Sequence, residues 1–344
     1  MRAVEGIDAE GVTRWLRQHT PLTPPLRFQP ITGGHSNLTF RVTDAEGRQW
    51  VLRRPPLNSV LATAHDMGRE HRIISALAES DVPVPGVVAM CTDPSVSGPP
   101  FYVMELVEGT VARDVASAQG LSPAQRTRAS RSLVEVLARL HRIDPDTVGL
   151  GDLGRRERYV ARQLRRWDRQ VRSLSRRELP LLFEVHRALS ERIPPQHGAG
   201  IVHGDYKIEN CIVDGTGEVA AVLDWELCTL GDVRADVGML MVYWVEPGDT
   251  LHPLADPPTS IGGFASRRQI LDGYREASGQ DLPEIDYFVA FASWRLACII
   301  EGVYARYHAA AMGSHIPDDI ERFARTVDQL VARAAAILDG QPAV

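Results

Sequence analysis

Two short polar segments constrain this chain more than any other feature of its sequence: His203-Gly204-Asp205-Tyr206-Lys207-Ile208-Glu209-Asn210 and, fourteen positions beyond Asn210, Asp224-Trp225-Glu226. Between them lie two short apolar runs, Cys211 to Val213 and Val219 to Leu223. They are joined by Asp214-Gly215-Thr216-Gly217, a composition that predicts a β-hairpin. A hairpin carries the chain out and back, so the pattern predicts Asp224 close to Asn210. A carboxylate and an amide oxygen are then delivered to one point.

That donor set has a definite chemistry. Magnesium takes hard oxygen ligands and commonly draws only one or two from protein, leaving the rest to phosphates and water. An Asn and an Asp at the mouth of a hairpin therefore suit a nucleotide-bound magnesium. Asp205 stands one short loop before Asn210, where it can accept the proton of a hydroxyl while the metal polarises a phosphate. The arrangement serves phosphoryl transfer.

The remainder of the chain bounds this expectation. Its 344 residues, 44% hydrophobic and 24% charged, can bury a substantial core in one large domain or two smaller lobes. A formal net charge of -6 supplies no global basic field, so nucleic acid is not an expected partner. Cys91, Cys211, Cys228 and Cys298 lie far apart without a C-x-x-C pair, which argues against a zinc site or a disulfide framework and for a reducing cytoplasm. Neither an export signal nor a membrane span is expected. Glu5, Asp8 and Glu10 interrupt the N-terminus, and the most apolar later helix carries Arg295 and Glu301.

Asp8 to His19 reads as a capped helix with Val12, Trp15 and Leu16 inward, stopped by Pro21, Pro24 and Pro25. A β-meander follows over Leu26 to Ile31, Leu38 to Val42 and Gln49 to Arg53, turning at Asp44 to Gly47. From Ala64 to Leu77 the spacing of Met67, Glu70, Ile74 and Leu77 marks one helical face, and Phe101 to Leu106 is a further strand. These elements make a small α+β lobe, placed at 1–106. From 107 to 344 the pattern is mainly helical, with helices over Ser122 to His141 and Arg155 to Ile193, a strand at Gly200 to Val202, and helices from Asp236 to Leu338. Residues 152–196 read as a helical insertion.

In the small lobe, Gly33-Gly34 falls between two strands, where backbone N–H groups, with Ser36 and Asn37, can approach phosphate oxygens with no Cβ in the way. A Gly-Gly turn is also an ordinary feature of a hairpin. Strand alternation puts Val51 and Arg53 on one face, which makes Arg53 the candidate for holding nucleotide phosphates. Glu70, on the inner face of the next helix, is its carboxylate partner, against the alternative of a solvated helix residue.

The pattern H-G-D-x-x-x-x-N, followed beyond a hairpin by D-W-E, resembles the aminoglycoside phosphotransferase and choline kinase family, relatives of protein kinases, and the resemblance spans nearly the whole chain. Three further segments are similar to the kinase-like domains found beside acyl-CoA dehydrogenases and to their stand-alone bacterial counterparts. They are Ile31-Thr32-Gly33-Gly34-His35-Ser36-Asn37, Trp50-Val51-Leu52-Arg53-Arg54-Pro55-Pro56 and Arg69-Glu70-His71-Arg72. The resemblance implies a two-lobed, protein-kinase-like α+β fold, with a small β-sheet-plus-helix N-lobe and a larger, mainly helical C-lobe. ATP or GTP and Mg2+ are the implied cofactors.

By the same resemblance Asp205 is the catalytic base, and Asn210 and Asp224 are metal ligands. Lys207 is the only lysine in the chain. It stands where a lysine of protein kinases meets the transferred phosphate, and a compact ammonium is a good point charge for it; a chance surface lysine is the alternative. Arg53 and Glu70 resemble the lysine–glutamate pair of kinases, with arginine replacing the lysine. The backbone of Glu105 and Val107 is implied to face the nucleotide base. His203 is read as a buried histidine ordering the loop, Asp236 as its anchor from a helix N-terminus, and Cys211 and Cys228 as packing residues.

Acceptor choice is signalled in two opposite directions. Ten arginines between Arg155 and Arg177 create a basic stretch that suits an anionic acceptor such as a coenzyme A thioester or a phosphorylated metabolite. Asp249, Asp256, Asp272, Glu276, Asp281, Glu284 and Asp286 instead suit a polycationic aminoglycoside, and either run is also readable as a solvated face. Arg295, with Trp294 and Tyr304 at helical spacing, is an unusual charge in an apolar helix and a candidate pocket residue. An anionic hydroxy metabolite is the favoured acceptor, and a nucleotide-binding pseudokinase acting as a regulatory module is the alternative from another functional class.

Overall fold

The computed structural model describes residues 6–31, 37–56, 66–308 and 319–344. The chain forms two compact units, Met1–Gly109 with Ala220–Glu226, and Thr110–Val219 with Leu227–Val344. Against the boundary expected at 106/107, the units divide between Gly109 and Thr110. The first unit also takes Ala220–Glu226, which the sequence pattern assigns to the second.

The first unit opens with α1 (Ala9–Leu16), whose N-cap Asp8 accepts from the N–H groups of Glu10 and Gly11. It continues through β1 (Arg27–Pro30), β2 (Leu38–Thr43), β3 (Gln49–Arg54), α2 (Met67–Leu77), β4 (Val87–Cys91), α3 (Pro94–Ser97) and β5 (Phe101–Glu105). The strands make one antiparallel five-stranded sheet in the order β1-β2-β3-β5-β4. Alternation sorts its faces. Phe40, Val42, Trp50, Leu52, Phe101 and Val103 pack with Val12 and Leu16 of α1 into one core. Each such side chain contributes roughly 1.5–3 kcal/mol by leaving water. Arg53 lies on the opposite side of β3 from Leu52, paired in register with Thr39 and Tyr102.

The second unit begins with α4 (Val115–Gln119) and α5 (Pro123–Arg142), each entered through a capping box, Asp114 with Ser117 and Ser122 with Gln125. The arginine-rich run expected as one helix is two, α6 (Tyr159–Leu174) and α7 (Pro180–Glu191). Pro180 explains the break, because proline cannot continue a helix yet suits its first turn. Then come β6 (Gly200–Val202), β7 (Cys211–Val213) and β8 (Val219–Val222), within which the chain passes into the first unit. The turn between β7 and β8 is closed as expected, Asp214 accepting at its carboxylate from the N–H groups of Thr216 and Glu218.

On re-entering the second unit the chain forms β9 (Thr229–Gly231), antiparallel to β6, and α8 (Arg234–Tyr243), α9 (Arg267–Ser278), α10 (Ile285–His308) and α11 (Glu321–Leu338). Helix α10 is the axis of this unit and packs on α6, α7, α8 and α11. By length and composition it is apolar enough to cross a membrane, but 78% of its most apolar window is buried, as befits a core helix.

Candidate active site

In the first unit the candidate residues gather on Arg53. Its Nε donates to Glu70 Oε2 at 3.1 Å and its Nη2 to Asp224 Oδ1 at 2.6 Å. Glu70 is only 2% exposed, so its role is not that of a solvated helix residue. Burial pushes its carboxyl pKa up while the Arg53 charge pulls the other way. Burial likewise opposes the charge on Arg53, yet Glu70, Tyr102, Asp224 and Glu226 together hold its pKa above the ordinary arginine value.

Asp224 is delivered by an unusual backbone. Its φ of 67° lies in the left-handed region, which a non-glycine residue adopts at a cost of about 1–2 kcal/mol. The segment is pinned on both sides. Val222 N–H donates to Pro83 O at 2.8 Å, and the fully buried Trp225 donates through Nε1 to Val222 O at 3.1 Å.

Asn37 is buried at 7% exposure, and neither atom of its amide has a hydrogen-bond partner among the described residues. Gly33, Gly34 and Ser36 lie outside the described residues. Glu105 ends β5 with its N–H donated to Gly86 O at 2.8 Å. Val107 follows it, half-buried, with no backbone hydrogen bond among the described residues.

In the second unit the loop after β6 is held from behind. Asp236, in the first turn of α8 and 1% exposed, accepts from the N–H groups of His203 at 2.6 Å and Gly204 at 2.8 Å, and its Oδ2 lies 3.3 Å from His141 Nε2. Burial raises its pKa, but the hydrogen bond from His141, the charges of His141 and His203 and the Gly204 N–H outweigh that and hold it below the usual aspartate value. The Asp205 N–H donates to His203 Nδ1 at 3.2 Å. Gly204 has φ 86°, and a Cβ there would sit 2.7 Å from Leu227 O, so only glycine fits.

Two donors converge on one oxygen of Asp205. Lys207 Nζ lies 3.0 Å from Oδ2, and Asn210 Nδ2 donates to the same Oδ2 at 3.0 Å and to Asp205 O at 2.8 Å. Lys207 Nζ also stands 4.3 Å from the ring centre of Tyr243. Burial disfavours its charge, but Tyr243, Asp205 and Glu209 outweigh burial and hold its pKa above the ordinary lysine value. Lys207 is thus no surface lysine. Burial pushes the Glu209 carboxyl up to about 7 against the pull of Lys207, and its Oε1 is buried without a hydrogen-bond partner among the described residues.

Tyr243 and Glu209 were not among the residues singled out from the sequence. Tyr243 has a recoverable signal, since it lies two helical turns after Asp236 on the same face of α8. Glu209 has none, because a charged residue in a polar loop reads as solvated.

Members of both opposed charge runs are ion-paired. Arg156 pairs with Asp146, Arg172 with Asp168, and Arg177 with Glu301 and Asp328. Asp249 pairs with Arg267, Asp272 with Arg275, and Glu284 with Arg234. Three of the seven acidic residues are thus spent on arginines, which weakens the field that would draw a polycation.

Comparison with known proteins shows the family and the fold. The sequence model of the phosphotransferase enzyme family matches residues 27–288. Acyl-CoA dehydrogenase family member 10 of Mus musculus is 35% identical over 293 residues, covering 83% of this chain and 27% of that protein. The chain spans between 27% and 42% of the length of the curated acyl-CoA dehydrogenase relatives it matches. A crystal structure from Ralstonia eutropha JMP134, provisionally assigned as an aminoglycoside phosphotransferase, has a TM-score of 0.79 at 30% identity and covers 96% of this chain and 98% of its own. An amicoumacin kinase in complex with AMP-PNP, Ca2+ and Ami shares the fold, with a TM-score of 0.60 at 17% identity over 98% of this chain and 95% of its own. The α+β, two-lobed kinase-like architecture is thereby established.

Proposed function

The chain belongs to the phosphotransferase enzyme family, a family of small-molecule kinases, and from that premise we propose that it moves the γ-phosphoryl group of ATP or GTP to a hydroxyl of a small molecule with Mg2+ as cofactor. The observation that carries this reading is the Asp205 carboxylate, fixed through one oxygen by Lys207 and Asn210, with the Asp205 N–H donated to His203 Nδ1 and the two preceding N–H groups held by Asp236.

Asp205 takes the proton of the acceptor hydroxyl as that oxygen bonds to the γ-phosphorus and the bond to the β–γ bridging oxygen breaks, the electron pair leaving with the nucleoside diphosphate. Lys207 is the compact positive charge for the moving phosphoryl group. Arg53, oriented by Glu70, holds nucleotide phosphates, and the backbone of Glu105 and Val107 serves the base. The unpartnered Asn37 amide supports a contact with the ligand from that side.

Magnesium is held chiefly through substrate phosphates, so one or two hard oxygens from protein suit it. Asn210 and Asp224 each offer it one hard oxygen. When bound it neutralises the charge of the phosphate oxygens. The nucleotide analogue and divalent cation in the amicoumacin kinase support the same pairing here. Four buried free thiols support a reducing, cytoplasmic setting.

A thermal-shift titration with ATP and GTP, with and without magnesium, tests this reading. Ligand at one hundred times Kd stabilises by about 2.7 kcal/mol, enough to move the melting temperature visibly. A magnesium-dependent shift supports the reading, and no shift with either nucleotide overturns it.

A further inference from the structure

Arg295, in the middle of α10, is 3% exposed. Its Nη2 donates to Gly204 O at 2.8 Å and its guanidinium lies 5.7 Å from the Trp167 ring centre, but its Nε is buried without a hydrogen-bond partner among the described residues. No carboxylate among the described residues pairs with it. Two arginines one turn apart on α6 share its surroundings. Arg162 donates through Nη2 to Arg155 O and lies 6.0 Å from the Tyr159 ring centre, and its Nη1 is buried without a hydrogen-bond partner among the described residues. Arg166 is exposed and lies 5.3 Å from the Trp167 ring centre. The charges of all three act on the hydroxyl of Tyr159, which is 1% exposed.

The acidic groups nearby are engaged elsewhere or too distant to pair. Asp236 holds His141, His203 and Gly204, Asp168 holds Arg172, and Glu157 acts on Arg162 only through space. A guanidinium does not shed its proton in a protein, and a buried charge is ordinarily retained with an opposite partner. Arg295 is buried and Arg162 half-buried, and with the exposed Arg166 beside them and no ion pair to any of the three among the described residues, the cluster is a place for an added anion.

We propose that Arg162, Arg166 and Arg295 form the counter-charge for an anionic group, carboxylate or phosphate, on the acceptor substrate. This rests on the kinase reading above, because Arg295 grips the carbonyl of Gly204, the residue before Asp205. Arg295 thus reaches the peptide next to Asp205, which suits an acceptor that carries the anion and the reacting hydroxyl on one molecule: a hydroxy acid or a phosphorylated alcohol. A polycation is repelled from the same place. Planar guanidinium forks suit either anion, gripping its oxygens bidentately.

The test titrates the full chain, by calorimetry, with two matched pairs: 3-hydroxybutyrate against 1,3-butanediol, and glycerol 3-phosphate against glycerol. The anionic member of at least one pair binds roughly tenfold or more tightly than its neutral counterpart, and the pair that shows the preference identifies the anion. The preference is lost in Arg166→Glu and in Arg162→Glu. Arg295→Gln abolishes it as well, with its melting temperature recorded to establish folding. The proposal is overturned if neither anion is preferred, or if the preference survives both α6 substitutions. Magnesium-dependent ATP binding is followed in the same samples. An anion preference without ATP binding refutes the kinase reading alone, and ATP binding without an anion preference refutes this proposal alone.

Discussion

Arg53 Nη2 lies 2.6 Å from Asp224 Oδ1, so the cation proposed for nucleotide phosphates and the carboxylate proposed for the metal are each other's counter-ion. Glu70, buried beneath them, keeps Arg53 in place through Nε. Magnesium and phosphate arriving together offer each partner a replacement of the right sign. Either arriving alone leaves one of the two charges unmatched.

Asp224→Asn separates the two tasks. It removes the anionic ligand while freeing Arg53, so the dissociation constant for magnesium-ATP rises by roughly tenfold or more. Binding of metal-free ADP is unchanged or tighter. Calorimetric titrations with and without magnesium check this, and an equal loss in both conditions contradicts it.

Lys207→Met lowers kcat by roughly 10²–10³, the usual cost of removing one preorganised electrostatic donor, with KM for ATP little altered. Lys207→Arg does not restore the rate. A planar fork cannot occupy the place of a compact ammonium set between Asp205 Oδ2 and the Tyr243 ring. Steady-state kinetics on both variants decide the point.

Asp236→Asn tests the loop anchor through pH. The folded-state pKa of Asp236 is depressed below 3.8, so its contribution to stability is present above the unfolded value and is lost as pH falls through the folded one. Urea unfolding at pH 7 should show the variant less stable by about 2–4 kcal/mol. The gap should narrow as pH drops below 4. A gap of equal size at pH 7 and pH 3 contradicts the account.

Gly204→Ala forces a Cβ to within 2.7 Å of Leu227 O at a residue with φ 86°. Thermal unfolding should show a loss of about 2–4 kcal/mol. Phosphoryl transfer should fall further than stability alone explains, because the strained peptide carries Asp205.

What was legible in the sequence follows physical lines. Strands β2, β3 and β5 and helix α5 announce themselves by alternation, period and capping residues. The Arg53–Glu70 pair followed from combining a strand face with a helix face. The strand β4 was not found, since it is a five-residue edge strand whose pairing slips between Val87 and Ala89. The strand β9 is only three residues long and ends on Gly231. The basic run between Arg155 and Arg177 looked like one field, but Arg156, Arg172 and Arg177 are spent on carboxylates, those of Arg177 lying far away in the sequence. That Arg162 and Arg166 come to lie beside Arg295 depends on how α6 and α10 pack, and no local pattern encodes that.

The most direct measurement is magnesium-dependent ATP hydrolysis, with water as a poor acceptor, by the wild-type chain and by Asp205→Asn, each checked for nucleotide binding. The account predicts slow release of phosphate from the wild type. It also predicts a loss of roughly 10³-fold or more in Asp205→Asn with nucleotide affinity preserved. Equal turnover by both proteins, or bound nucleotide that is never hydrolysed or transferred, would contradict it and leave a nucleotide-binding regulatory module in its place.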